Sequence, residues 1–314
     1  MSNFENNSAN VVGGAIFNSS NLSIISSTIK SGSGKNDFYQ TADASTIFGS
    51  TKIGEEIIAN NIETNISGEG TLTNTGILNL SGNNSGFLGN FEQTSGQTTI
   101  SGTNALFFGG TNTISGGILN WYLEDSDDLF GINLSLKNNS VLIIGKDENQ
   151  KSVLKVSSGV IEKSADVLIN KNSLLAITGS EITLDENDAW NGSVFVAGGG
   201  ILNLENLRGN GKVFGDAKGT INLISGNLIL NDPENTADDD KSTILESAKV
   251  SIENGSNLII SNGKVTLNGK QIDGLFDDSD KWAGTVTLLN NGNLTISEEF
   301  DSNGTLTAEG GNLL

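Results

Sequence analysis

Four acidic clusters and three tryptophans carry the residue types with the best claim to chemistry in this chain. The clusters are Glu124, Asp125, Asp127 and Asp128; Asp185, Glu186 and Asp188; Asp232, Glu234 and Asp238 to Asp240; and Asp277, Asp278 and Asp280. Carboxylates facing each other across a cleft are the machinery of glycoside hydrolysis. Close-set aspartates, such as Asp277, Asp278 and Asp280, also supply the hard oxygen ligands that calcium takes. Trp121, Trp190 and Trp282 offer flat apolar faces on which a sugar ring can stack.

Each of these readings has a plainer rival. The acidic clusters lie in Asn- and Ser-rich text, where carboxylates read as solvated loops. Histidine is absent, which removes the commonest acid–base group, His-based triads and imidazole metal ligands. The single arginine, Arg208 in LENLRGNGKV, has Glu205 near it and no acidic cluster. No EF-hand spacing and no calcium-binding nonapeptide occurs, and the glycines at 209, 211 and 215 open no helix as a phosphate loop would. The tryptophans read more readily as closing an apolar core beneath a corner or a loop, and Phe107 and Phe108 read as ordinary core stacking. The sequence therefore assigns no catalytic residue, metal ligand or cofactor, and the chain reads as no enzyme. Cysteine is absent, so thiol chemistry is excluded. A net charge of −20 and a pI near 4.2 argue against nucleic acid or an anionic membrane as partner.

The elements that position these residues are visible in 66 to 121. Short pairs such as Leu78-x-Leu80 and Thr98-x-Ile100 put both side chains on one face of a strand. Gly, Asn or Ser then follows every seven or eight residues, too soon for an ordinary sheet strand. Apolar residues are 35% of the chain and aromatics 6%, too few for a thick globular core, while 40 glycines suit many corners. Strands this short, cornered this often, predict a chain wound into an all-β parallel β-helix, or β-solenoid. At about 22 residues per coil the 314 residues make roughly thirteen coils of a single domain, 1–314. A right-handed winding is expected from the crossover bias of parallel strands. Residues 26 to 65 are the least regular part.

The segment FENNSANVVGGAI resembles the repeat of polymorphic outer membrane proteins, with FxxN at Phe4 to Asn7 and GGAI at Gly13 to Ile16. The segments LNLSGNNSGFLGNFEQTSG and FFGGTNTISGGILNW resemble passenger repeats of bacterial autotransporters. This likeness implies an adhesin-like passenger on a bacterial cell surface, displayed or adhering without catalysis. Its partners would be a host-surface or matrix protein or a glycan, and its translocator barrel would lie elsewhere in the protein. MSNFENNSAN lacks the basic and apolar regions of a signal peptide, and no apolar run reaches a membrane helix of about 18 residues. Export signals are thus expected outside this stretch, and the chain reads as a piece of a longer passenger. Other β-helices cleave polysaccharides or serve as stalks, and these are the rival roles.

A longer repeat links the fold to a surface. ADVLINKNSLLAITGSEITL at 165 to 184 aligns without gaps on AKVSIENGSNLIISNGKVTL at 248 to 267. Each copy leads to an acidic, Trp-containing segment, DENDAWNGSV and DDSDKWAGTV. In a solenoid, equivalent positions recur at one angle about the axis. Trp190 and Trp282 are therefore expected on one flank, about four coils or 19 Å apart, with a protruding loop near Lys270 to Asp280. Trp190, Trp282, Asp277, Asp278 and Asp280 are the candidate binding residues.

Overall fold

The structure is a computed structural model. It describes residues 3–4, 15–30, 38–102, 107–123, 131–147 and 151–205, except 186, 191 and 198, and from there on only the strands and the terminal 312–314. Every described element is a strand, and the ladders between them are parallel, apart from one antiparallel hairpin. The fold is a parallel β-helix. Six strands stack on the longest described face of the first unit, and seven in the longest ladder of the second. Coil length varies about the expected 22 residues: 18 residues separate Asn61 from its ladder neighbour Asn79, but 33 separate Ser27 from Asn60.

By contact density the chain forms two compact units. The first is Met1–Lys146 with Gln150–Leu154 and Ser164–Asp166; the second is Asp147–Asn149 with Lys155–Lys163 and Val167–Leu314. In the first, one face stacks Asn21–Ile25, Ser45–Gly49, Thr71–Asn74, Asn90–Gln93, Thr111–Ile114 and Ile132–Leu136. A second face stacks Thr28–Lys30, Asn60–Glu63, Ile77–Leu80, Gln97–Ser101, Ile118–Tyr122 and Val141–Ile144. A shorter third face holds Ile16–Asn18, Phe38–Gln40 and Ile66–Gly68.

Alternation within each strand turns both members of each spaced pair inward and the residue between them outward. Leu78, Leu80, Thr98 and Ile100 are all fully buried, as the pair spacing requires. Phe87, Phe91, Phe107, Phe108 and Trp121 form one buried aromatic cluster in this core. Their ring centroids lie 4.9 to 5.7 Å apart, in edge-on and tilted contacts. Trp121 is buried, and its indole N–H donates to the Val153 carbonyl at 2.8 Å, which settles the cost of burying that polar atom.

Corners need glycine where the backbones of successive coils touch. Gly96 and Gly117 adopt φ of 74° and 77°, a region side chains resist. A Cβ on Gly96 would strike the Gly76 carbonyl oxygen, and one on Gly117 would strike that of Gly96. Those carbonyls instead accept from Gln97 and Ile118 at 2.8 and 3.0 Å.

Two corners share a buried polar device. Asn18 donates to Gln40 Oε1 at 3.1 Å and Thr46 Oγ1 at 3.0 Å, and Thr46 donates to the same Gln40 oxygen at 2.6 Å. Asn74, Gln93 and Thr98 repeat this, at 3.5 Å, 3.0 Å and 2.6 Å respectively. Each asparagine oxygen accepts a backbone N–H two residues on, from Ser20 and Gly76. Each glutamine amide then donates to carbonyls of the following coil: Glu69 and Thr71 for Gln40, Gly116 and Ile118 for Gln93. All six side chains are buried. The glutamines thus bolt three coils together.

Gln93→Leu keeps the volume but removes the acceptor of Thr98 and the donor to Gly116 and Ile118. The orphaned groups should cost about 2–4 kcal/mol, read as a lower midpoint in urea unfolding. Thr99→Ala, on the outward side of the strand Gln97–Ser101 that carries Thr98, should cost well under half of that.

Three longer ladders run through the described residues of the second unit, beside the short pairing of Asp166–Ile169 with Ala189–Trp190. One joins Leu174–Ile177, Ser193–Val196, Lys212–Gly215, Thr243–Ile244, Lys264–Asn268, Asn293–Ser297 and Asn312–Leu313. Another joins Glu181–Leu184, Ile201–Glu205, Thr220–Ser225, Lys249–Ile252 and Lys281–Trp282. A third joins Asn227–Asn231, Asn257–Ser261, Thr285–Leu289 and Thr305–Glu309.

Candidate binding surface

The two tryptophans expected on one flank belong to different ladders. Trp190 lies in the strand Ala189–Trp190, beside Ile169. Trp282 lies in Lys281–Trp282, beside Ile252, in the ladder that begins with Glu181–Leu184. That ladder passes the strand immediately before Ala189–Trp190 in the chain, one side of the coil away. The shared flank is therefore not formed.

The cause is visible in the long repeat. Lys249–Ile252 aligns with Asp166–Ile169 in sequence, yet stacks in the ladder of Glu181–Leu184. Likewise Lys264–Asn268 aligns with Glu181–Leu184 but stacks in the ladder of Leu174–Ile177. The second copy is rotated by one side, because the intervening coils differ in length: Asn203 and Asn222 are 19 residues apart, whereas Thr220 pairs with Lys249 across a longer step. Asp277, Asp278 and Asp280, and the loop expected at Lys270 to Asp280, lie outside the described residues. So do Arg208, the 124–128 cluster and the 232–240 cluster.

The remaining acidic cluster is not the solvated loop its composition suggests. Asp185 and Asp188 are buried. Asp188 Oδ1 accepts from the Val167 amide at 2.6 Å and its Oδ2 from the Asp185 amide at 2.6 Å. Asp185 Oδ1 accepts from Asn187 at 2.8 Å, and the Asp188 amide donates to the Asp185 carbonyl at 3.1 Å. The two carboxylates receive backbone donors at a corner and tie it to the preceding coil, so both are structural. Asp188→Ala should lower stability by about 1–3 kcal/mol and open the Val167 amide to hydrogen exchange, measured residue by residue.

The surface best built for contact is the outer side of the first ladder of the first unit. One outward column runs Asn21, Ser45, Thr71, Asn90, Thr111, Asn133; its neighbour runs Ser23, Ile47, Thr73, Glu92, Thr113, Ser135. Successive strands set these side chains about 4.8 Å apart along a column. Ser45 donates to Asn21 at 2.8 Å, an inter-coil bond between exposed polar groups. The adjoining face carries a similar run, with Asn79 donating to Asn61 at 2.8 Å and Asn120 to Thr99 at 3.1 Å. Near the start of the unit the surface turns apolar: Phe17 is 56% exposed and stacks on Tyr39 at 5.7 Å and 15°. Sequence reading missed these columns because an outward Thr or Asn looks no different from a corner residue until register is known.

Comparison with family models, with curated proteins and with solved structures finds no match.

Proposed function

We propose that this chain is a non-enzymatic adhesive passenger, displayed on the outside of a bacterial cell and held there by parts of the protein outside this stretch. The observation that carries the reading is the pair of outward columns on the first ladder. Twelve side chains, ten of them Ser, Thr or Asn except for Ile47 and Glu92, face outward in register over six strands. Such a face holds a partner through many small hydrogen-bonding contacts spread along the coils, as repeat surfaces do. Its neutral polar groups fit a glycan or a matrix protein better than a charged ligand, and the sequence resemblance to autotransporter passengers agrees with that role.

The test is adhesion. Beads coated with the purified chain should bind cultured host cells or immobilised matrix above beads coated with heat-denatured chain. Joint replacement of Thr71, Thr73, Thr111 and Thr113 by lysine should abolish most of that binding while the circular dichroism spectrum and unfolding midpoint stay close to the parent. Unchanged adhesion in that folded variant, or cleavage of polysaccharide by the parent chain, would overturn the reading.

A further inference from the structure

The hairpin Thr51–Ile53 and Glu56–Ile58 is the one antiparallel pairing among the described residues, and it stands out from the coil. Thr51, Lys52, Ile53, Glu56 and Ile57 are all exposed, with Ile53 at 58% and Ile57 at 50%. A two-stranded ribbon with so little burial is marginal by itself. Its base is held by Ser26, a left-handed residue with φ of 49°. The Ser26 hydroxyl accepts from the Thr51 amide at 2.8 Å and donates to the Ile58 carbonyl at 2.9 Å, sitting between two groups that face each other across the ribbon.

That bridge fixes which backbone groups point where. If the Thr51 N–H and the Ile58 C=O look inward, alternation turns the N–H and C=O of Ile57 away from Thr51–Ile53, toward the free edge. Ile57 pairs across the ribbon with Lys52, which by the same parity turns its own backbone groups to the opposite edge. Each edge therefore offers one donor and one acceptor from a single central residue. Such an edge is self-complementary: a second copy, turned by two-fold symmetry, presents the same pair in antiparallel order.

We propose that two copies of this chain associate through the edge of Glu56–Ile58, joining their hairpins into a four-stranded antiparallel ribbon. Ile57 N–H donates to Ile57 C=O of the second copy, and the reverse bond closes the ring. Charge selects this edge over the other. Pairing through Thr51–Ile53 would set Lys52 directly against its own copy, which opposes association, whereas the Glu56–Ile58 edge sets Ile57 against Ile57 and Glu56 against Ile58. The contact is small and each copy carries a net charge of −20, so the dimer is weak and salt shifts it: screening the mutual repulsion raises the dimer fraction. This inference is independent of the adhesive reading.

The chain has no cysteine, which makes the test clean. In a hydrogen-bonded antiparallel pair the Cα atoms lie about 5.5 Å apart, inside the disulfide range. Under mild oxidation Ile57→Cys should accumulate a disulfide-linked dimer on the order of tenfold faster than Leu88→Cys, although Leu88 is more exposed at 64%. Sedimentation of the parent should show a dimer fraction that rises with ionic strength, and Ile57→Asp should remove it with the circular dichroism spectrum unchanged. Equal crosslinking of the two cysteine variants, or a dimer that survives Ile57→Asp, would overturn the proposal.

Discussion

In a chain wound in register, each inward side chain meets the residue in the same position one coil away. Backbone hydrogen bonds between coils hold this alignment, so the core is a set of columns rather than a scatter of contacts. Leu72 stacks on Phe91, Leu78 on Thr98, and Leu80 on Ile100. A polar residue that enters a column must find its partners in the coil above or below, since water is excluded there. Gln40 and Gln93 meet this demand by accepting from an asparagine and a threonine and donating to the next coil. Asn112 meets it in part: its amide donates to three carbonyls at 3.0 to 3.1 Å, while its oxygen has no partner among the described residues.

The same alignment explains the outer surface. Side chains that alternate outward inherit the register set by the core, so hydroxyls and amides fall into rows without any selection on the rows themselves. What distinguishes one region from another is which side chains fill them: Thr and Asn in the middle of the first unit, Phe17, Ile25 and Ile47 near its start. The hairpin is an insertion at the end of Ser45–Gly49, anchored by one serine, and it leaves the stacking of the coils on either side intact.

Much of the architecture was legible before the structure. The spacing of Leu78 and Leu80, of Thr98 and Ile100, and of Leu175 and Ile177 identifies inward pairs because alternation is a property of any strand. The buried state of Phe107 and Phe108 was also readable from their place among such pairs, whereas for Trp121 the core was one of two readings left open. Three things were not. Gln93 and Asn74 look like corner residues in the text, since polarity signals burial only when partners are known, and those lie about 20 residues away. Asp185 and Asp188 read as solvated because acidic composition says nothing of backbone donors converging on them. The angular placement of Trp190 and Trp282 failed for a different reason: similarity of two segments fixes what they are, while their position about the axis depends on the summed length of every coil between.

That freedom of coil length bears on how such a chain can change by descent. Between Asn61 and Asn79 a turn closes in 18 residues, and between Ser27 and Asn60 it takes 33, yet the strands at either end keep their stacking. A gene encoding this fold can therefore gain or lose codons at a corner without a frame of its own to respect, provided the columns close again afterward. Within a strand, the loss of a single codon would turn every following side chain of that strand inside out. Variation in length should gather at the corners, where it alters what the cell displays, and be nearly silent in the columns that hold the coil together.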